Sequence, residues 1–513
     1  METTGVRLAE LVVGLSSVAD LGMGLPIGSA ARTALIAVQL ARNCGWPEDT
    51  VSHVFYAALL QHIGCTAYSH EVSALFADEL SVKRASMATD FTRPSEIMLG
   101  YLPEITRRSP PGERLRTVRS GLLHSRQMTA GYTLSNCETA AAVARRIGLP
   151  DPVRTGLLDN FEWWNGKGGP KGLRGEAISL IARVVNVAGY ASFFDQRGGP
   201  DAAVAAIVQR SGHYLDPALA TAFRRHANDL LTATAAGDVS DRLVAAEPTP
   251  PVQIAAAAVE DVLRIFGEAV DLKSPFLHGH STRVSKLADG ACRRLGLDEP
   301  DVELARQAGL VQDLGRVAVA TGIWEHAGSL GTDAWQQVRL HAYHSEQILC
   351  RSTALSRLGT LAGLHHERLD GSGYYRRVSA AQLPITARVL AAADSYQALI
   401  LDRPHRRAFS PSAAAGVVLA EARTGRLDPD AVAAVLAVAD GTPVSQRAQV
   451  AGLTDRQIEV IRLVARGLSN RAIAGELTIS TRTAEHHVQD IYARIGVSSR
   501  AATALFAMEH GLL

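Results

Sequence analysis

Apolar side chains recur along this chain at the spacing of an α-helix. Segments rich in Ala, Leu and Val place apolar residues three or four positions apart, while alternating runs of β-branched residues are scarce. A period near 3.6 residues predicts amphipathic helices, whereas strict alternation would predict strands. The pattern therefore predicts an all-α protein.

Two proline-containing stretches interrupt this helical pattern. One is Glu247–Pro251, and the other extends from Asp440 to Gly452. Proline lacks the amide hydrogen that a helix interior needs, so both stretches are predicted to be linkers. A chain of 513 residues also exceeds what one hydrophobic core usually supports. The expected domains are 1–245, 252–440 and 453–513.

The C-terminal segment carries the signals of four short helices. Thr454 and Gln457 have the spacing of a capping box, which satisfies the free amides at the start of a helix. Ser469 and Ser480 are predicted N-caps of the second and third helices, and Gly496 is predicted to end the third. Such closely spaced helices predict a small, separate helical domain.

The third of these helices has two contrasting faces. Its apolar positions can pack against the other helices, and they are Ala484, Val488, Ile491 and Ile495. A polar strip follows the opposite face, formed by Arg482, Glu485, His486 and Gln489. A polar strip on a helix that enters the major groove can contact base edges. The pattern therefore predicts a DNA-reading helix.

This segment resembles the LuxR-type helix-turn-helix domains over its whole length. The motifs that carry the resemblance are Leu453-Thr454, Gly467-Leu468-Ser469-Asn470, Ile479-Ser480, His487-Val488 and Ile495-Gly496. The resemblance implies that Glu485, His486 and Gln489 face bases. It also implies that a second group lies near phosphates, namely Ser480, Thr481, Thr483, His487 and Arg494. The position of Glu485 is usually Lys in this family, so the strip is less cationic here.

The affinity that specific DNA binding requires favours a homodimer. A single module of this kind buries only about 600–1,000 Å² on DNA, and two half-sites would supply the missing affinity. The last predicted helix, Ser499–Gly511, carries Ala504, Leu505 and Met508 and is the expected dimer face. The expected macromolecular partners are double-stranded DNA and a second copy of the chain.

An ordered series of His and Asp residues runs through the middle segment. Its members are His280, Asp313, His341, His365, His366 and Asp394. Imidazole nitrogens and carboxylates suit Fe, Mn or Zn. Two such ions about 3.5–4 Å apart, sharing a carboxylate, can generate a hydroxide that hydrolyses a phosphodiester. The series predicts a metal centre of this kind.

Across 252–440 the series resembles the HD-GYP family of metal-dependent cyclic di-GMP phosphodiesterases. The resemblance implies that Asp313 bridges two ions. It assigns His341, His365 and His366 to one ion. It assigns His280 and Asp394 to the other. In an active enzyme of this type, Asp313 and Arg316 would be the catalytic residues.

Three departures from the family pattern affect the expected chemistry. The family's His-Asp pair reads Gln312-Asp313, and an amide oxygen is a poor substitute for an imidazole nitrogen on a transition ion. The family's phosphate-steadying Lys is Arg316, and its Gly-Tyr-Pro reads Gly373-Tyr374-Tyr375. We therefore expect one divalent transition metal ion (Fe, Mn or Zn) in this domain.

The first two domains are predicted to be copies of each other. Matching motifs around Gln61 and Gln312 set a first offset of 251, and those around Gly166 and Gly371 set a second offset of 205. The first copy therefore holds about 46 extra residues within 66–135. The family's ligand positions in the first copy read Ser29, Gln61-His62, Asn136, Asn160-Phe161 and Gly189. These residues predict no metal cluster, and the N-terminal copy is expected to be a degenerate structural or sensory domain.

Composition adds few constraints. The net charge is +1, so any DNA contact must come from a local surface rather than a global field. The five Cys are scattered without paired spacing, which is typical of free thiols in a reducing compartment. With neither a signal peptide nor a membrane-spanning run, the expected location is the cytoplasm.

The leading hypothesis is a transcriptional regulator whose tandem HD-GYP-like domains sense a ligand and adjust the DNA-binding dimer. The expected ligand is a cyclic dinucleotide or another small molecule. The competing hypothesis is an active phosphohydrolase with an attached DNA-binding module, and Gln312 is the residue that separates the two. A third is a scaffold that only dimerises the DNA-binding module.

Overall fold

The structure is a computed structural model, and the residues that it describes are 6–76, 78–107, 112, 114–235, 239–441 and 450–513. The chain divides into two compact units. The first comprises residues 1–259 with 320–322, and the second comprises 260–319 with 323–513. Helices dominate both units, so the all-α prediction is confirmed. Within the predicted second linker, residues 442–449 lie outside the described residues.

The N-terminal half, through residue 258, consists of helices and one short strand pair. Its α-helices are α1 (Leu8–Leu15), α2 (Ser17–Gly22), α3 (Ser29–Asn43), α4 (Glu48–Leu60), α5 (Ser69–Leu75), α6 (Glu79–Ala88), α7 (Pro94–Glu96), α8 (Leu102–Thr106), α9 (Arg114–Arg146), α10 (Asp151–Leu158), α11 (Leu180–Arg210), α12 (Pro217–Ala235) and α13 (Val239–Ala245). A π-helical turn, Ile97–Tyr101, joins α7 to α8, and α11 is broken at Gly199.

The predicted first linker is an ordered part of the first unit. Strand β1 (Val6–Arg7) pairs antiparallel with β2 (Gln253–Ile254), with Val6 opposite Ile254. The buried Glu247 carboxylate accepts hydrogen bonds from the Arg7 guanidinium and, at 2.8 Å, from the Tyr56 hydroxyl. These contacts tie the segment after α13 to the N-terminus of the unit.

The rest of the chain contains the second helical copy and the C-terminal module. Its α-helices are α14 (Val259–Asp271), α15 (His280–Arg294), α16 (Glu299–Val311), α17 (Thr321–Trp324), α18 (Thr332–Leu349), α19 (Ser356–Ala362), α20 (Ile385–Leu399), α21 (Pro411–Arg423), α22 (Pro429–Gly441), α23 (Asp455–Ala465), α24 (Asn470–Leu477), α25 (Thr481–Ile495) and α26 (Arg500–Glu509).

Helices of the two copies begin at the predicted offsets. Helices α3 and α15 have 15 residues each, α4 and α16 have 13 each, and both pairs start at the first predicted offset. Helices α11 and α20 start at the second predicted offset. Helices α5 to α8 fall inside the segment predicted to hold the extra residues. A small core of its own, including Phe76 and Ile105, packs this inserted segment.

The two copies also have the same interactions at the N-termini of their equivalent helices. Gly28 and Gly279 have positive φ and precede α3 and α15. The Asp20 carboxylate accepts from the Gly28 and Ala30 amides, both at 2.8 Å. Asp271, its counterpart in the second copy, accepts from the Ser281 amide at 3.0 Å. A buried carboxylate that satisfies helix-start amides stabilises the same junction in both copies.

The C-terminal module folds as four capped helices, as predicted. Thr454 and Gln457 form the capping box of α23, and Ser469 and Ser480 accept from the amides that open α24 and α25. Gly496, with φ 69°, ends α25. The module's own core includes Ile461, Ile473, Val488 and Ile491.

No helix in the described part of the chain combines the length and the hydropathy that crossing a bilayer requires.

Candidate metal centre and nucleic-acid interface

The predicted metal ligands come from five positions along the second copy, and the fold brings them together. His280 opens α15, Asp313 follows α16, His341 lies within α18, His365 and His366 follow α19, and Asp394 lies within α20. His280, Asp313, His341, His365 and Asp394 are buried to 3% exposure or less. Ligands from five elements of one helical framework have little freedom to rearrange, so the centre is preorganised.

One group of ligands surrounds the first oxygen of Asp313. His341 Nε2 lies 3.4 Å and His365 Nε2 lies 3.5 Å from Asp313 Oδ1. The Nδ1 atoms of both imidazoles contact backbone carbonyls, those of Val338 and Ala362, so each Nε2 lone pair points inward. The two Nε2 atoms are 3.2 Å apart. Converging lone pairs repel each other unless a cation joins them, so this donor set fits a metal ion.

A second group of ligands surrounds the other oxygen of Asp313. His280 Nε2 lies 3.2 Å from Asp313 Oδ2 and 3.1 Å from Asp394 Oδ1. The two oxygens of Asp313 therefore face different groups, as a carboxylate shared by two ions would. His366 belongs to the first group with His341 and His365, and its Nδ1 also lies 3.8 Å from Asp394 Oδ2. Burial together with the neighbouring imidazoles holds the pKa of His366 well below its usual range.

Gln312 occupies the second group as a hydrogen-bond donor. Its fully buried amide nitrogen donates to Asp394 Oδ1 at 3.1 Å, and its Oε1 has no hydrogen-bond partner among the described residues. The amide engages an oxygen that a second ion would need, and it supplies no imidazole nitrogen in return. The geometry around Gln312 fits one complete set of ligands and one incomplete set.

Arg316 lies beside the Asp313 carboxylate. Its Nε is 2.8 Å from Asp313 Oδ1, and its guanidinium lies over the Trp324 ring at 5.0 Å. Burial alone would favour the neutral acid, but Arg316 and the imidazoles hold the pKa of Asp313 well below its usual value. The family resemblance implies that Arg316 contacts phosphate, whereas in this structure it neutralises Asp313.

Two charged residues near the centre were not singled out from the sequence. Burial raises the pKa of Asp271 to about 7, and its carboxylate contacts Ser281, the neighbour of His280. Burial lowers the pKa of Arg403 to about 10, in the field of Arg316. The internal repeat could have indicated Asp271 through its counterpart Asp20, but Arg403 lies in a loop after α20 without a periodic signal.

The predicted DNA-reading strip is exposed along α25. Arg482, Glu485, His486 and Gln489 all face solvent. His486 Nδ1 lies 3.0 Å from Asp490 Oδ2, which adds negative charge beside the strip.

The residues predicted to lie near DNA phosphates are found at the start and toward the end of α25. Thr481 and Thr483 are exposed, and His487 is half-buried. Ser480 is engaged as the helix cap, accepting from the Thr483 amide at 3.0 Å. Arg494 is exposed but donates to the Gly452 carbonyl at 2.8 Å. These side chains border the strip as a phosphate-contacting set would.

The predicted dimer face is buried inside the second unit. Ala504 and Leu505 are each 1% exposed, and Met508 is 8% exposed. The Gly279 amide donates to Met508 Sδ at 3.2 Å, and the His278 ring contacts the Ala465 carbonyl. The C-terminal module is thus docked against the segment that leads into His280. The pairing role of α26 remains a prediction.

Comparison with known proteins identifies two domain families. Residues 264–431 match the HD domain family, and residues 451–507 match the bacterial regulatory proteins of the luxR family. The chain therefore carries an HD domain followed by a LuxR-type helix-turn-helix domain, as the sequence motifs predicted.

Individual relatives resemble different shares of the chain. The chain is 29% identical to "3'3'-cGAMP-specific phosphodiesterase 3" of Vibrio cholerae serotype O1, over 83% of this chain and 94% of the relative. It is 30% identical to "Cyclic di-GMP phosphodiesterase response regulator RpfG" of Xanthomonas campestris, over 34% of this chain and 47% of the relative. The crystal structure of a cyclic GMP-AMP phosphodiesterase from V. cholerae (V-cGAP3) aligns with a TM-score of 0.60 at 25% identity, covering 86% of this chain and 99% of that chain.

Proposed function

We propose that this protein is a sequence-specific DNA-binding regulator whose HD domain controls pairing of the C-terminal modules. In this proposal, the HD domain binds a divalent metal ion and a cyclic dinucleotide. One observation carries the proposal: the residues directly before ligand His280 hold the C-terminal module, through Gly279 to Met508 and His278 to Ala465.

These contacts give a physical route from ligand to DNA. Gly279 has positive φ and caps α15, whose first residue is His280. A cyclic dinucleotide that contacts His280 would move the Gly279 amide and the His278 ring relative to α26. Because such a ligand binds the docked and released arrangements with different affinity, it would shift the equilibrium between them. Release would expose Leu505 and Met508 for pairing.

The metal would be held mainly by Asp313, His341, His365 and His366. As a Lewis acid, an Fe, Mn or Zn ion supplies a positive centre for a phosphodiester oxygen. Arg316 keeps Asp313 ionised and therefore able to bind a cation. The cyclic dinucleotide is proposed because similar proteins are named as phosphodiesterases of 3'3'-cGAMP and of cyclic di-GMP.

The test uses the full chain and those genomic DNA fragments that the full chain binds in a selection experiment. DNA affinity and sedimentation are measured with and without Mn²⁺ plus 3'3'-cGAMP or cyclic di-GMP. His278→Ala should weaken docking, raise the dimer fraction and tighten DNA binding about two- to tenfold without ligand. His326→Ala, which replaces a histidine outside the docking contact, is the matched control. If His278→Ala behaves as wild type with intact circular dichroism, docking does not control pairing and the proposal fails.

A second candidate is an active phosphodiesterase with an attached DNA-binding module. The convergence of six metal ligands favours it, whereas the amide of Gln312 and the ion pair between Arg316 and Asp313 oppose a two-ion reaction. Turnover of a cyclic dinucleotide at about 1 s⁻¹ or faster with Mn²⁺ or Fe²⁺ would establish the enzyme and overturn a sensor-only role. Absence of both metal and nucleotide binding would leave the scaffold hypothesis.

A further inference from the structure

The first unit contains a cavity of about 350 Å³ where its sequence aligns with the metal centre. Four lining residues occupy the positions that correspond to metal-centre residues, and they are Ser29, Gln61, His62 and Gly189. Their counterparts in the second copy are His280, Gln312, Asp313 and Asp394. Smaller or neutral side chains stand at the ligand positions, so this cavity lacks the metal ligands of the second copy.

The charge of this cavity favours an anion. Among its described lining residues the single carboxylate is Asp20, which accepts from the Gly28 and Ala30 amides. Two arginines also line it. Arg84 pairs with Glu104 at 3.2 Å, while Arg197 lies over the Phe193 ring and has no carboxylate partner in the described part of the chain. The lining itself therefore carries two guanidinium groups against one carboxylate, and Arg197 is the arginine available to an anion.

The floor of the cavity offers polar groups without protein partners. Gln61 is 4% exposed and lines the cavity, and the buried His62 Nδ1 has no hydrogen-bond partner within the described residues. Gly189 leaves the space beside it open, since an added Cβ would lie 3.5 Å from Gln61 Oε1. Burial lowers the pKa of His62 to about 4, so its imidazole is neutral near pH 7. Buried polar groups are normally satisfied, which points to a hydrogen-bonding ligand.

We propose that this cavity binds a phosphorylated small molecule of mononucleotide size, with its phosphate on Arg197 and Arg84 and its polar ring or sugar on Gln61 and His62. A guanidinium group can donate two parallel hydrogen bonds to two oxygens of a phosphate, which favours a phosphate over other anions. The volume lies at the lower end of small-molecule pockets, about 300–1,000 Å³. It therefore suits one nucleotide rather than a cyclic dinucleotide.

The experiment is calorimetric titration of the full chain with AMP, GMP, CMP, UMP and ribose 5-phosphate, with adenosine and guanosine as uncharged probes. Chelator is present so that the metal centre does not contribute. We expect saturable binding of at least one phosphate monoester. Arg197→Ala should weaken it about tenfold or more, as expected for a lost charge-assisted hydrogen bond. Arg224→Ala, an arginine of α12 that does not line the cavity, should leave it unchanged.

Two further variants locate the binding. Gly189→Val fills the space beside Gln61 and should abolish binding, whereas Asp313→Asn in the second copy should leave it intact. The proposal is wrong if no phosphate monoester binds the folded chain up to about 10 mM, which is weaker than ordinary ligand affinities. It is equally wrong if Arg197→Ala and Arg224→Ala reduce affinity alike, or if the uncharged nucleosides bind as tightly as their monophosphates.

Discussion

The two helical copies keep the same fold devices but differ at every position that would contact a metal ion. Glu162 accepts from the Lys171, Gly172 and Leu173 amides, and its counterpart Glu367 accepts from the three equivalent amides of the second copy. Both carboxylates stabilise the loops whose amides they accept from, and both copies keep them. The position of Asp313 is a neutral histidine in the first copy. The residues that satisfy backbone amides are therefore kept in both copies and stabilise the fold. The residues that face the metal centre differ between the copies and determine the chemistry of each.

The largest effect should come from the Asp313 carboxylate. Asp313→Asn removes the charge toward which His280, His341 and His365 converge. Metal retained after dialysis should fall from roughly one ion per chain to near none, because a neutral amide binds transition ions poorly. Elemental analysis measures this. His62→Asn, at the corresponding position of the first copy, should leave the metal content unchanged; a loss there would place metal in the first unit.

Restoring the missing imidazole should sharpen the difference between the copies. Gln312→His replaces the amide on Asp394 with a nitrogen ligand, so occupancy should rise toward about two ions per chain in excess Mn²⁺. Gln61→His is the matched change in the first copy. It should add no ion, because Ser29 and Gly189 supply no further ligand there. Unchanged stoichiometry in Gln312→His would contradict the assignment of the second group of ligands.

The helix-start carboxylates should matter for stability rather than metal binding. Asp20→Ala leaves the buried Gly28 and Ala30 amides without their acceptor. Its cost to the free energy of unfolding should be about 2–6 kcal/mol, since buried unsatisfied donors cost about 1–3 kcal/mol each. Chemical denaturation followed by circular dichroism measures it. Metal content should stay at the wild-type level, and a parallel loss of metal would refute the separation of fold from chemistry.

Much of the fold was predictable because its signals are local. The capping box at Thr454 and the caps at Ser469 and Ser480 depend on neighbouring residues, and α24 begins directly after its predicted cap. The two offsets between the copies likewise depend only on collinear sequence. The six ligand positions were predictable because the family resemblance fixes their order.

Partner choice was not predictable from these patterns. The apolar face of α26 indicates that something covers Leu505 and Met508, but not whether a second chain or the segment at Gly279 does so. A sequence also does not show that Arg316 pairs with Asp313 rather than remaining free for phosphate. Both outcomes depend on distances between elements that are far apart in the chain.

The smallest predicted effect concerns pH and the neutral imidazole of the first copy. Burial, with the nearby Lys83, lowers the pKa of His62 to about 4, against about 6.5 in an unfolded chain. The folded state therefore binds fewer protons between these values, and its stability should rise with pH across that window and be lost as pH falls toward 4. The contribution should be about 1–3 kcal/mol.

His62→Gln should flatten this part of the stability profile, because glutamine does not titrate. Unfolding free energies from urea denaturation at pH 4.5 and 7 measure the slope for both chains. His326→Gln, which changes a histidine of the other unit, should keep the wild-type slope. An equal slope in His62→Gln and wild type would show that His62 is not held neutral, and the contrast between His62 and the ionised Asp313 would disappear.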